Sequence, residues 1–75
     1  MKNKLIGEIM KSSGKKIIWE INEFKGKIGL DIREYFKLGT DKWAPTKKGI
    51  RIDAKDISAV VKFAEQAEDA INKGA

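Results

Sequence analysis

The chain has 75 residues, a formal charge of +5, no cysteine and no histidine. That length predicts one small domain over residues 1–75, and the missing residues exclude disulfides, thiolate metal sites and the commonest general base and zinc ligand. A domain this short without such staples leans on a partner chain, so a homodimer is expected.

The absence of cysteine suits a reducing compartment. No window approaches the ~18 apolar residues of a membrane span. The opening MKNKLIGEIM has too short an apolar run for a signal peptide. The expected location is therefore intracellular and soluble, with no membrane partner. Charge is uneven: residues 1–52 carry 13 Lys and Arg against 6 Asp and Glu, while residues 53–75 carry 3 against 5. Five of the six aromatic residues share the basic part, and only Phe63 lies outside it. Lysines for phosphates and ring faces for unstacked bases are the two things a single-stranded nucleic acid binds. A merely lysine-rich solubilised domain is the plainer reading of the same composition.

In chain order, LIGEIM over residues 5–10 is a first strand, within an N-terminal strand or arm over residues 1–15. Ser12-Ser13-Gly14 is a turn. KIIWEINEF over residues 16–24 alternates, with Ile17, Trp19 and Ile21 on one face and Ile18, Glu20, Asn22 and Phe24 on the other. Lys25-Gly26 predicts a tight hairpin connection. Residues 27–37 alternate again: Ile28, Leu30 and Ile32 form the core face, and Asp31, Arg33 and Tyr35 the polar one. A turn over residues 38–41 leads to a last strand over residues 42–52, where Pro45 marks an edge, a bulge or a loop. Asp53 predicts the N-cap of a C-terminal helix, with Asp56 near its positive end and Gly74 at its stop. Ile57, Val60, Val61, Ala64 and Ile71 fall at helical spacing, and Phe63, Ala67 and Ala70 widen the stripe. Such a helix covers the sheet with one side and meets a second chain with the other. Ile57, Val60, Val61, Phe63, Ala64, Ala67 and Ile71 are the dimerisation candidates. The fold class is α+β: an antiparallel sheet of about four strands followed by one C-terminal helix, homodimeric.

Catalysis finds little support. Asp31 and Glu34 face opposite sides of a strand, as do Glu20 and Glu23, and Ser12-Ser13 has no base partner. The expectation is a protein that is not an enzyme and takes no cofactor or metal. The basic residues say more: Lys25 and Lys27 flank Gly26, Lys47 and Lys48 precede Gly49, and Arg33 projects from the polar face. Each also has a structural reading, as turn residues, as edge charges, or as the partner of Asp31. Phe36 has the parity of the core face and stacks on a ligand only where the strand end departs from alternation.

The run FKGKIGLDIREYF, then KKGIRI and an acidic-capped helix, resembles the single-stranded DNA-binding domain of the transcriptional positive cofactor 4 (PC4/Sub1) family over residues 16–72. The resemblance implies a PC4/whirly-like homodimer whose sheets form channels for single strands. It implies DNA contacts at Phe24, Lys25, Lys27, Arg33, Phe36, Lys47 and Lys48, with Phe24 and Phe36 stacking on bases. Phe36 stands where the family often has Trp, and Thr46 where it often has Gly; Trp43 is the candidate compensating ring. The acidic, Ser-rich N-terminal region of eukaryotic members has no counterpart, which suggests a prokaryotic or viral form; the resemblance thus implies a cytoplasmic, nucleoid-associated location, or a nuclear one if the chain is eukaryotic. The implied role is single-stranded DNA binding with low sequence specificity, in transcription regulation, replication, recombination or repair. The alternatives are a basic module docking an acidic partner of the transcription machinery, and an RNA-binding protein.

Overall fold

Four strands follow one another and pair in that same order in the computed structural model, which describes residues 3–74. They are β1 (Lys4–Ser12), β2 (Lys15–Phe24), β3 (Lys27–Lys37) and β4 (Trp43–Asp53), all antiparallel to their neighbours. The residues beyond 3–74, including the start of the predicted arm, lie outside the described residues. β1 and β4 are the edges, which is where Pro45 can sit without removing a ladder donor from the sheet interior.

The β2–β3 hairpin holds one register without interruption, from Lys15 opposite Phe36 to Phe24 opposite Lys27. That register assigns the faces, because directly opposed residues project the same way. Ile17, Trp19 and Ile21 of β2 share an apolar face with Ile28, Leu30 and Ile32 of β3. Lys16, Ile18, Glu20, Asn22 and Phe24 share the polar face with Lys27, Asp31, Arg33 and Tyr35. The turn closes with Lys25 at φ 52° and Gly26 at φ 77°. Both central residues are left-handed, as a two-residue turn between twisted strands requires.

Two expectations need correction. Asp53 does not cap the α-helix. It ends β4, paired with Gly29, and a 3-10 turn (Ala54–Asp56) intervenes before α1 (Ile57–Asn72). Neither the Asp53 nor the Asp56 side chain makes a capping hydrogen bond; Asp56 pairs with Lys55 instead. Strand pairing holds Asp53 in extended backbone, at ψ 150°. The C-terminal end is as expected: Gly74 takes φ 83°, and its N–H donates to Ile71 O at 3.0 Å.

The second correction concerns the core. α1 does not cover its own sheet; it meets the rest of the chain mainly through the 3-10 turn, and none of its residues is buried. The Ile28/Leu30/Ile32 face is therefore open, with Ile28 half-exposed. Among the described residues only Gly29 is buried, and no apolar side chain is. An apolar groove of about 270 Å³ runs between Ile6, Ile21, Ile28, Leu30, Ala54 and Ile57. Nearby, the Trp19 Nε1–H is buried without an acceptor among the described residues.

Candidate nucleic-acid interface

The polar face of the hairpin carries a ring with cations at each end. At the turn end, the Phe24 ring is 60% exposed, with Lys25 Nζ 5.4 Å from its centroid and Arg51 Cζ 6.0 Å away. At the far end, Trp43 pairs with Lys37 across β3–β4. Lys16 Nζ lies 4.3 Å from the Trp43 ring centroid, and Lys37 Nζ lies 6.0 Å from it. The two groups are separated by the length of β3, about 33 Å at ~3.3 Å per residue. Both are within cation–π range; the Phe24 ring is exposed and the Trp43 ring half-buried.

The centre of the same face is neutralised from within. Arg33 forks onto Asp31, with Nε and Nη2 each at 3.1 Å from a carboxylate oxygen, and its Nη1 donates to Thr46 O at 2.8 Å. Hydrogen bonding to Asp31 raises the Arg33 pKa further above its ordinary value. Glu8 holds Lys16 in an ion pair. Tyr35 is pushed up by burial and by Glu20 and Asp31, which keeps its hydroxyl protonated. The structural reading of Arg33 is thus realised: it is the partner of Asp31, with two of its five N–H groups left for a ligand.

Arg51 is a residue that the sequence reading missed. From β4 it crosses β3 at Gly29 and donates to the Asn22 side chain, to Asn22 O at 3.1 Å and to Lys27 O at 3.0 Å. A Cβ on residue 29 would come within 3.0 Å of the guanidinium carbon. Gly29 in mid-strand was the available signal, since a strand glycine often marks a close approach. Asn22, Phe24, Asp31, Arg33 and Arg51 line an open cleft of about 420 Å³ beside the Phe24 ring.

The remaining lysines are exposed. Lys25, Lys27, Lys47 and Lys48 make no ion pair among the described residues. Lys25 also occupies left-handed backbone, which costs a residue with a Cβ about 1 kcal/mol or more. Lys47 and Lys48 sit in a bulge on β4: Gly49 opposes Arg33 and Pro45 opposes Tyr35, so three residues face Glu34 alone.

Phe36 is not brought to these residues. Alternation holds to the end of β3, and Phe36 lies opposite Lys15 on the apolar face. Its neighbour on that face, Glu34, is 10% exposed and accepts from Lys11 Nζ at 3.0 Å. That hydrogen bond lowers the Glu34 pKa against the effect of burial, with smaller pulls from Lys48 and Lys15. The predicted site residues therefore divide by position. Phe24, Lys27, Arg33 and Trp43 share the polar face, Lys25 stands at its turn, Lys47 and Lys48 on its β4 edge, and Phe36 behind it.

The geometry has counterparts. A family model described as Transcriptional Coactivator p15 (PC4) matches residues 11–63. Two crystal forms of a PC4 homologue from Burkholderia pseudomallei superpose with TM-scores of 0.78 and 0.80 at 22% identity, covering 89% of this chain and 98% and 90% of theirs. A bacteriophage T5 homologue of the eukaryotic transcription coactivator PC4, implicated in recombination-dependent DNA replication, superposes with a TM-score of 0.65 at 19% identity. That match covers 99% of this chain and 83% of the phage protein. No curated protein sequence matches the chain. No helix among the described residues is long and apolar enough to cross a membrane.

Proposed function

The chain belongs to the Transcriptional Coactivator p15 (PC4) family, and on that premise we propose that it is a homodimer that binds single-stranded DNA with little sequence preference and catalyses no reaction. The observation that carries this reading is the pair of ring–cation groups, Phe24 with Lys25 and Trp43 with Lys16 and Lys37, at the two ends of one sheet face. Rings of this kind accept any base, because every base has a π-face, and the exposed Lys25 and Lys37 beside them neutralise phosphates, whereas Lys16 is held by Glu8. Lys25 supports the reading independently, since an unfavourable backbone conformation retained at a basic residue points to use of its charge.

The open core supports dimerisation. Val61, Phe63 and Ile71 are 51–70% exposed on a helix with nothing over it, and Ile6, Ile9, Ile28 and Ile50 are half-exposed on the sheet. An apolar surface of that extent on both elements is the surface of half a core. The phage relative's implication in recombination-dependent DNA replication supports a role where strands are separated, in transcription, replication, recombination or repair.

The test is titration of a labelled oligothymidylate at two salt concentrations. Four phosphate contacts, one each at Lys25, Lys27, Lys47 and Lys48, would give a slope of log K against log salt of roughly −3. Absence of binding at low salt overturns the reading. A matched RNA oligomer and an acidic peptide, titrated alongside, separate the two alternatives.

A further inference from the structure

Thr46 ties the β4 bulge together. Its Oγ1 donates to Glu34 O at 2.9 Å and accepts from the Lys48 N–H at 3.1 Å. Its carbonyl accepts from Arg33 Nη1 at 2.8 Å, and Arg33 is itself held by Asp31. Gly49 makes room for this clamp: a Cβ there would lie 2.8 Å from the Arg33 guanidinium carbon. A bulge with three residues against one loses ladder bonds, and here one side chain and one arginine replace them.

Resting on the nucleic-acid reading, we propose that Thr46 is a positioning residue for phosphate binding: its hydroxyl holds the bulge backbone so that Lys47 and Lys48 stand pre-set on the sheet edge. The hydroxyl touches no ligand itself. It fixes the Lys48 amide and Glu34 carbonyl, and it leaves the two ammonium groups exposed and in no ion pair among the described residues. Pre-ordering the backbone lowers the ordering cost that binding would otherwise carry.

The experiment compares Thr46→Val, which keeps the shape and removes both hydrogen bonds, with Thr46→Ser, which restores them. Amide hydrogen exchange at Lys48 and oligothymidylate affinity at low salt are both read. Thr46→Val is expected to speed Lys48 exchange and weaken binding by about tenfold, and Thr46→Ser to return both toward the wild type. A double-mutant cycle then separates positioning from general damage: in a Lys47→Gln/Lys48→Gln background, Thr46→Val should cost nothing further in affinity. Should Thr46→Val fold poorly, Gly49→Ala strains the same bulge from its other end and is expected to act on affinity in the same way. Unchanged Lys48 exchange, or an equal affinity loss with and without the lysines, overturns the positioning role. A wild type that fails to bind at low salt overturns the nucleic-acid reading and this role with it.

Discussion

Phe24 and Phe36 project from opposite faces of the sheet, because the β2–β3 register runs unbroken from one to the other. The two rings that frame the same basic motif therefore meet different surroundings. Phe24→Ala is expected to weaken oligothymidylate binding by ~1–3 kcal/mol, the range for one stacked base. Phe36→Ala should leave affinity within about a factor of two, because its ring lies behind the polar face. Fluorescence titration of both variants decides it, with Trp19→Phe as background so that Trp43 alone reports. A loss for Phe36→Ala equal to that for Phe24→Ala would mean that the strand also crosses the apolar face.

Lys25 sets stability against binding. Replacing it by glycine removes a Cβ from left-handed backbone at φ 52°. Lys25→Gly should stabilise the hairpin by about 1 kcal/mol in a denaturant melt. The same variant should weaken DNA binding and reduce the magnitude of the salt slope by ~0.7, the share of one phosphate contact on a single strand. A variant that gains stability and keeps its full salt slope would remove Lys25 from the contact set.

The open core makes a quantitative claim about assembly. Sedimentation equilibrium at micromolar concentration should show a dimer. Ile71→Glu, placing charge on a side chain that is 70% exposed in the single chain, should be silent if the chain works as a monomer. It is instead expected to dissociate the dimer and abolish a cooperative melt, because the isolated chain has no buried apolar side chain among the described residues. Measuring the melting temperature at several concentrations checks the same point, since a dimer's rises with concentration.

Acid should loosen the apolar face through Glu34. Its pKa is lowered in the folded chain, chiefly by the hydrogen bond from Lys11. A lowered folded pKa contributes stability that is fully present above the unfolded value, about 4.3, and is lost as pH falls through the folded value. Wild type should therefore be more stable than Glu34→Gln at neutral pH, and the gap should close below about pH 4. A gap that persists to pH 2 in urea melts would show that Glu34 acts through packing and not through its charge.

Much of the fold was legible because it is local. Period-two alternation placed β2 and β3 to within a residue, and Lys25-Gly26 announced the turn between them. The same alternation put Arg33 and Asp31 side by side and assigned Phe36 the parity of the core face, both of which the structure bears out. The start of the helix was not legible from capping chemistry. Asp53 is a good N-cap by type, yet its pairing with Gly29 keeps it in the strand.

What the sequence by itself determined are the strands, the turn, the two-faced hairpin and the apolar helix, since each depends on residues within a few positions of one another. Only the tertiary structure decided where distant side chains meet. Arg51 reaches over Gly29 to Asn22, Thr46 closes a bulge onto Glu34 and Arg33, and α1 stands away from the sheet it was expected to cover. The physical reason is that an apolar stripe specifies that something must cover it without saying what. A cross-strand contact depends on a register that the β4 bulge shifts by two residues at the point where the basic pair is presented.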